Sequence, residues 1–214
     1  MCFFRHVVRA PLPAMEGVTP ASRPQRLPVV LSVDEVSAVL RELRGAKQLV
    51  AMLLYGSGLR LLEALTLRVK DIDFARTQLL IRSGKGDKDR MTVLPRVLHE
   101  ALRCHLVRVK RLHDRDLAAG AGTVVLPGAL ARKYPSAVRA WEWQWVFPAT
   151  SAYRDSETGE RRRHHLHETA MQREMKVAVL RTGLTKRATC HTLRHSFATT
   201  CWSRGRTSGR CRSC

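Results

Sequence analysis

The sequence predicts a mainly helical fold with a small antiparallel β-sheet, an α+β arrangement, and three observations predict it. Apolar residues recur at helical spacing through most of the chain, as at Leu98, Leu102 and Leu106. Only Gln78 to Arg82 and Met91 to Leu94 read as a pair of strands around a polar turn. At 214 residues and 44% hydrophobic, the chain has material for one sizeable core.

Residues 10 to 28 carry prolines in APLP, TP and RP, then Pro28, with no sustained period, so an extended linker is expected there. Ser32 with Glu35 three residues on has the capping-box form and predicts a helix from about Val33 to Leu43. A second helix is expected over Lys47 to Tyr55, a glycine turn at Gly56 and Gly58, and a third helix from Leu61 to Arg68. After the two strands, Arg96 to about Ala118 reads as a long amphipathic helix. Ala119 to Ser136 is loop-like, and the alternation of Trp141, Trp143, Trp145 and Phe147 has strand periodicity. A charged loop from Arg154 to Arg163, a helix from Thr169 to Arg181 stopped by Gly183, and a helix beginning with Leu193 to Thr200 complete the fold. No internal repeat is visible. Beyond Thr200 the stretch CWSRGRTSGRCRSC has no period and few apolar residues, and is not expected to belong to the fold.

Thirty-eight Lys and Arg face eighteen Asp and Glu, a formal charge of +20. Charge of that size on so short a chain attracts polyanions, with nucleic acid first and an anionic membrane surface second. No apolar run approaches the roughly 20 residues of a membrane span, and Met1 to Ala10 is interrupted by Arg5, His6 and Arg9. A cytoplasmic protein without membrane partners is expected. Cys2, Cys104 and Cys190 are scattered and the other three cysteines crowd into the last fourteen residues, which fits a reducing compartment.

Breaking and rejoining DNA without added energy needs a side-chain nucleophile on phosphorus and cations around a phosphate whose charge grows in the transition state. Arginine offers a planar fork to two phosphate oxygens; lysine can bind phosphate and also give up a proton. Arg60 follows the turn in GSGLR, Lys85 sits at the hairpin tip SGKGDKDR, and His191 and Arg194 stand three apart in HTLRHSFAT, on one helix face. Each alone also reads as an ordinary surface residue. The Gly and Lys of the hairpin lack nucleotide-binding P-loop spacing.

The order Arg, hairpin Lys, then His-x-x-Arg is the arrangement of the tyrosine recombinases. GSGLRLLEALTLRVKDID, IRSGKGDKDRMTVLP and HTLRHSFAT resemble the three main blocks of the Xer and phage-type catalytic domain and spread over most of residues 28 to 199. That resemblance implies that Arg60 and Arg194 clamp the scissile phosphate, Lys85 protonates the departing 5′ oxygen and His191 assists proton transfer. It gives Glu63 a structural role. Positioning and charge suffice for such phosphoryl transfer, so no metal or cofactor is expected.

The stretch from ARKYPSAVRAWEWQWVFPAT through RRRHHLHETAMQREMK is similar to the insertion that marks integron integrases, and covers about residues 129 to 168. The likeness implies that Trp143, His164 and His165 contact bases pushed out of a folded single-stranded recombination site. Stacking on such bases is worth roughly 1–3 kcal/mol each and tolerates any sequence. Burial in a sheet is the equal alternative for Trp141 and Trp145. Ser156 stands where that insertion tends to carry a proline. His164, His165 and His167, with Cys190, could alternatively hold zinc, but no His-Glu-x-x-His or paired Cys-x-x-Cys frame accompanies them.

The family pattern continues with a helix, a Gly-His pair and the attacking tyrosine. Here Tyr55, Tyr134 and Tyr153 all precede the His-x-x-Arg block. Allowed codons for Cys201 to Ser203, read one base earlier, give Leu-Leu-Glu; Arg206 to Cys214 similarly give Gln-Asp-Ile-Arg-Thr-Val-Gln-Glu-Leu, which resembles the expected helix. An out-of-frame tail over 201 to 214 is therefore expected, making Cys201, Cys211 and Cys214 accidental. Residues 1 to 27 look like the remnant of the N-terminal core-binding (SAM-like) domain and linker, leaving 28 to 200 as the catalytic domain, incomplete at its C-terminus. The resemblance implies integration and excision of gene cassettes in a bacterial cytoplasm. Expected partners are folded single-stranded cassette sites, duplex integration sites and a homo-tetramer on DNA, with this polypeptide inactive for want of the tyrosine. A non-catalytic basic DNA-binding fragment or regulator is the alternative from another class.

Overall fold

The first helix starts where the capping box places it. Ser32 Oγ accepts from the Glu35 amide at 3.2 Å and Glu35 Oε2 accepts from the Ser32 amide at 2.8 Å, so α1 runs Val33–Glu42. The computed structural model describes residues 28–82, 89–126, 130–156 and 158–203, with the side chains of 131 and 201–203 excepted. The linker 10–27, the hairpin tip 83–88 and positions 204–214 of the expected tail lie outside the described residues, whereas the tail's first three positions, 201–203, are helical and continue the fold.

Two helices follow, α2 (Gly45–Gly56) and the short α3 (Leu61–Leu65). The third helix is shorter than its apolar pattern predicts: the Thr66 hydroxyl donates back to Leu62 O at 2.7 Å, and the chain then makes a separate 3-10 turn over Val69–Asp71. Asp71 closes that turn by accepting from the Arg68 amide at 3.0 Å. β1 (Ile72–Asp73), which the sequence did not reveal because two residues carry no period, joins β2 (Gln78–Ile81) and β3 (Arg90–Val93) in an antiparallel sheet of order β1-β2-β3. The register pairs Leu80 with Met91 and Ile81 with Arg90, as expected of a hairpin.

A 3-10 turn at Arg96–Leu98 leads into α4 (His99–Ala118). The segment expected to be loop contains α5 (Leu130–Lys133) and a 3-10 turn at Pro135–Val138. The tryptophan alternation does not make a strand. Trp141–Trp143 form a 3-10 turn, and only single bridges, such as Arg68 with Trp145, continue from it. Burial there does not alternate, since Gln144, Trp145, Val146 and Phe147 are all buried in succession. The charged loop is a small hairpin, β4 (Tyr153–Arg154) with β5 (Arg161–Arg162), and Ser156 sits exposed in its turn. Helix α6 (Glu168–Arg181) begins with His167 Nδ1 accepting from the Thr169 amide. Helix α7 (Cys190–Ser203) starts three residues before the apolar run suggests, because Thr189 and Thr192 cap its first turn through mutual side-chain bonds.

One core gathers Val36, Val39 and Leu43 from α1, Leu53 and Leu54 from α2, Leu79, Leu98, Leu102, Phe147, Met171 and Leu193. A second cluster, Val124, Leu126 and Trp145, lies under Trp143 and Val138. Helix α4 holds the two together with histidines on its buried face. His105 Nε2 meets Val146 O at 2.8 Å and His113 Nε2 meets Arg139 O at 3.0 Å. Burial holds both imidazoles below the usual histidine range, against the raising effect of their carbonyl partners. Because their folded pKa lies below the unfolded value, their contribution is complete above about pH 6.5 and is lost as the pH falls below it. Replacing both (His105→Gln, His113→Gln), which keeps an N–H donor, should flatten the fall in unfolding free energy between about pH 6.5 and 5; denaturant titrations across that range measure it.

Candidate active site

Arg60 leaves the α2–α3 turn at a point fixed by two neighbours. Gly58 adopts φ +63, and a Cβ there would lie 2.7 Å from the Phe197 ring, so helix α7 rests directly on the turn. Strand β3 is tied to the same turn, since the Thr92 hydroxyl donates to Ser57 O at 2.9 Å. Three elements distant in sequence thus meet at one corner.

Glu63 sits at that corner with its side chain only 9% exposed. Its Oε2 accepts from the Arg60 amide at 2.7 Å and its Oε1 from Arg60 Nη1 at 2.6 Å. Arg90, on β3, donates to Oε2 from Nη2 at 2.6 Å. Arg194, one turn into α7, brings Nη1 to 3.6 Å from Oε2. Burial pushes the Glu63 carboxyl up, but the Arg60 amide and guanidinium and the charge of Arg90 outweigh it and hold it below its ordinary range. Burial is also the first cause lowering the Arg194 guanidinium, followed by repulsion from Arg60. Arg194 Nη1 is buried and makes no hydrogen bond. Three guanidinium groups against one carboxylate leave the corner strongly positive, suited to a tetrahedral anion.

His191 shares the face of α7 with Arg194. Its pKa is lowered, first by burial and then by His195, Arg194 and Arg60, so it is neutral at pH 7 and free to accept a proton. The His195 ring stands edge-on to it, centroids 4.3 Å apart. Both Arg60 and His191 border a cavity of about 420 Å³ floored by Met175 and Cys190. The structure brings Arg60, His191 and Arg194 together at one corner. Lys85 lies outside the described residues; the base of its hairpin, Ile81 opposite Arg90, adjoins the corner through Arg90.

The second predicted group assembles elsewhere. His164 and His165 have ring centroids 4.0 Å apart, and Trp145 lies 6.0 Å from the first and 5.3 Å from the second. Trp143 is half-buried with the Lys70 ammonium over its ring. Trp145 itself is core, at 9% exposure, whereas Trp141 is half-buried against His113. His167 is turned away to cap α6, and no three His, Cys, Asp or Glu among the described residues are placed to hold a metal ion.

Sequence reasoning did not single out Arg90, His195, Arg68 or Lys70. Arg90 had a readable signal, its place directly across the hairpin from Ile81. Arg68 had none, because the carbonyls it meets lie 57 and 75 residues away.

Residues 30–206 match the phage integrase family. Integrase/recombinase proteins of Escherichia coli and Pseudomonas aeruginosa are each 46% identical over 197 residues, covering 92% of this chain and 58% of theirs. The tyrosine recombinase XerA of Thermococcus onnurineus is 37% identical over 94 residues, 42% of this chain and 33% of its own. Among solved structures, a XerA recombinase superposes with a TM-score of 0.58 at 23% identity, covering 98% of this chain and 61% of that one. XerH bound to a palindromic difH substrate gives 0.55 at 20% identity, covering 86% and 44%. The two structural likenesses concern the fold. The chain spans less than two thirds of the length of the curated relatives it matches.

Glu63→Gln should lower stability by about 1.5–3 kcal/mol at pH 7, the size of hydrogen bonds to charged groups, and loosen the three arginines. A depressed carboxyl stabilises above its unfolded pKa and stops doing so as the pH falls through the folded one. The variant should accordingly lose less stability on acidification than the parent, as measured by chemical denaturation from pH 7 to 3.

Proposed function

Because the chain belongs to the phage integrase family, we propose that it is the catalytic part of a site-specific DNA recombinase acting through a 3′-phosphotyrosine. The observation that carries this is the corner where one buried carboxylate gathers three arginines beside a neutral histidine. Arg60 and Arg194 hold the non-bridging oxygens of the scissile phosphate. A tyrosine oxygen forms the new bond to phosphorus while the bond to the 5′ oxygen breaks. Lys85 protonates that departing oxygen, and His191 takes part in moving the hydroxyl proton. No metal or cofactor enters these steps.

The chain further reads as the integron branch, recombining gene cassettes, with Trp143, His164 and His165 meeting extruded bases of a folded single strand. In support, the Trp143 and Trp145 rings flank Arg68, and the His164 and His165 rings stand against Trp145. A homo-tetramer on DNA in a bacterial cytoplasm fits that reading; no described helix is long and apolar enough to cross a membrane.

In motif order all three tyrosines precede the His-x-x-Arg block, which supports reading the nucleophile as missing. Tyr134 and Tyr153 are exposed, Tyr153 with its ring against His164, and the Tyr55 hydroxyl meets the Thr200 hydroxyl at 3.3 Å. The 214-residue polypeptide should accordingly bind DNA and leave it uncut. On a nicked suicide substrate it should yield no denaturation-resistant adduct, and an adduct would overturn this. The gene's codons around position 200 test the out-of-frame tail: they either allow the Leu-Leu-Glu reading or exclude it. In a version with that reading restored, Arg60→Ala and Arg194→Ala should each reduce strand transfer at least a hundredfold while weakening DNA binding far less. Equal losses in both would favour a basic DNA-binding regulator.

A further inference from the structure

Arg68 is the most buried guanidinium described, at 6% exposure, and has no carboxylate within salt-bridge distance of its side chain among the described residues. Its side chain spends its donors on backbone instead. Nη1 donates to Trp143 O at 2.5 Å and Nη2 to Val125 O at 2.8 Å. Its Cζ lies 3.7 Å from the centre of the Trp145 ring and 5.6 Å from that of Trp143. Burial lowers its pKa to about 10, with Asp71 raising and Arg82 lowering it, so the group keeps its charge at neutral pH.

Each of these contacts ends at a support of the aromatic group. The Trp143 carbonyl fixes the backbone that presents the Trp143 ring. Trp145, stacked on the guanidinium, is the surface against which His165 stands edge-on and His164 tilts. The Val125 carbonyl belongs to the neighbouring wall, beside Val124 of the second cluster. Backbone bonds continue the same seam, from the Val69 amide to Gln144 O at 3.0 Å and from the Val146 amide to Leu67 O at 2.9 Å. Five residues before Arg68, on the same stretch of chain, stands Glu63, and a cavity of about 160 Å³ lined by Glu63, Arg68, Arg82 and Trp145 lies between corner and platform.

We propose that Arg68 is a positioning residue for base recognition: its one guanidinium sets the rings of Trp143, His164 and His165 at a fixed offset from the phosphate corner. This rests on the base-contact role given to those three residues above. Arginine suits the position because its planar fork serves two carbonyls while its face stacks on an indole, and lysine can do only part of this. The partner so selected is a folded single strand that carries an unpaired base at that offset from the cleavable phosphate. Plain duplex, held by phosphate contacts, does not depend on Arg68.

Fluorescence anisotropy with two DNA hairpins, identical except that one has two extrahelical bases, tests this on the full chain. The parent should prefer the extrahelical hairpin by about tenfold or more, the size of one stacked base. Arg68→Lys and Arg68→Met should remove most of that preference while leaving affinity for the plain hairpin within about twofold. A parallel fall in both affinities would make Arg68 merely structural and overturn the inference, as would an unchanged preference. If neither Arg68 variant folds, Trp145→Phe, which keeps an aromatic face, should retain the preference and Trp145→Leu should lose it; equal behaviour of these two overturns the inference equally. A parent with no preference for extrahelical bases would instead remove the base-contact reading itself, and the inference with it.

Discussion

Like charges must be held together before a phosphate arrives, and Glu63 is what holds them. Two unit charges about 4 Å apart at a protein surface repel by about 4 kcal/mol, so Arg60, Arg90 and Arg194 would spread into solvent if left to themselves. A carboxylate between them converts mutual repulsion into shared attraction, and its own burial is tolerated because both of its oxygens accept charge-assisted or backbone hydrogen bonds. The surrounding architecture serves this meeting. The short helix α3 places Glu63 one turn from Arg60, strand β3 delivers Arg90, and helix α7 delivers Arg194 by lying on Gly58. The net positive balance that remains is the property an incoming anion would neutralise.

The second cation cluster is built on the opposite rule. The Arg68 side chain donates to no carboxylate among the described residues; Asp71 acts on it only through its charge, and carbonyl dipoles and indole faces are its direct partners. Such partners are weaker individually than a carboxylate but directional. They leave the charge unneutralised while fixing the rings around it. Asp71 divides its attention accordingly, accepting from the Arg68 amide while pairing with the Arg82 side chain at 2.8 Å. Corner and platform therefore share a single stretch of chain, residues 63 to 71, with different electrostatic characters at its two ends.

Much of this was legible in sequence because it is local. The Ser32 and Glu35 cap, the α4 period and the hairpin register are set within a few residues of one another, and the structure follows them closely. Arg60, His191 and Arg194 were legible through motif order. What was not legible is long-range. The strand expected at Trp141 to Phe147 fails because its residues are held by partners far off in sequence, Trp141 against His113 of α4 and the Trp143 carbonyl on Arg68. The third helix ends early through a hydroxyl returning to its own backbone, a choice that an apolar period does not record. His195 escaped because a second histidine one turn along a helix gives no sign of facing the first until the helix is in place.

The buried hydrogen bond from the Leu31 amide to Ser196 Oγ, 2.9 Å long, spans 165 residues of sequence. Ser196 lies two residues beyond Arg194, and Lys186, just ahead of the same helix, grips Glu35 at 2.8 Å. Leu31, near the start of the described residues, is thus fastened to the helix that carries His191 and Arg194. In mechanical terms the attachment has a short arm: Leu31, itself part of the core, meets helix α7 through one hydroxyl, two residues from Arg194.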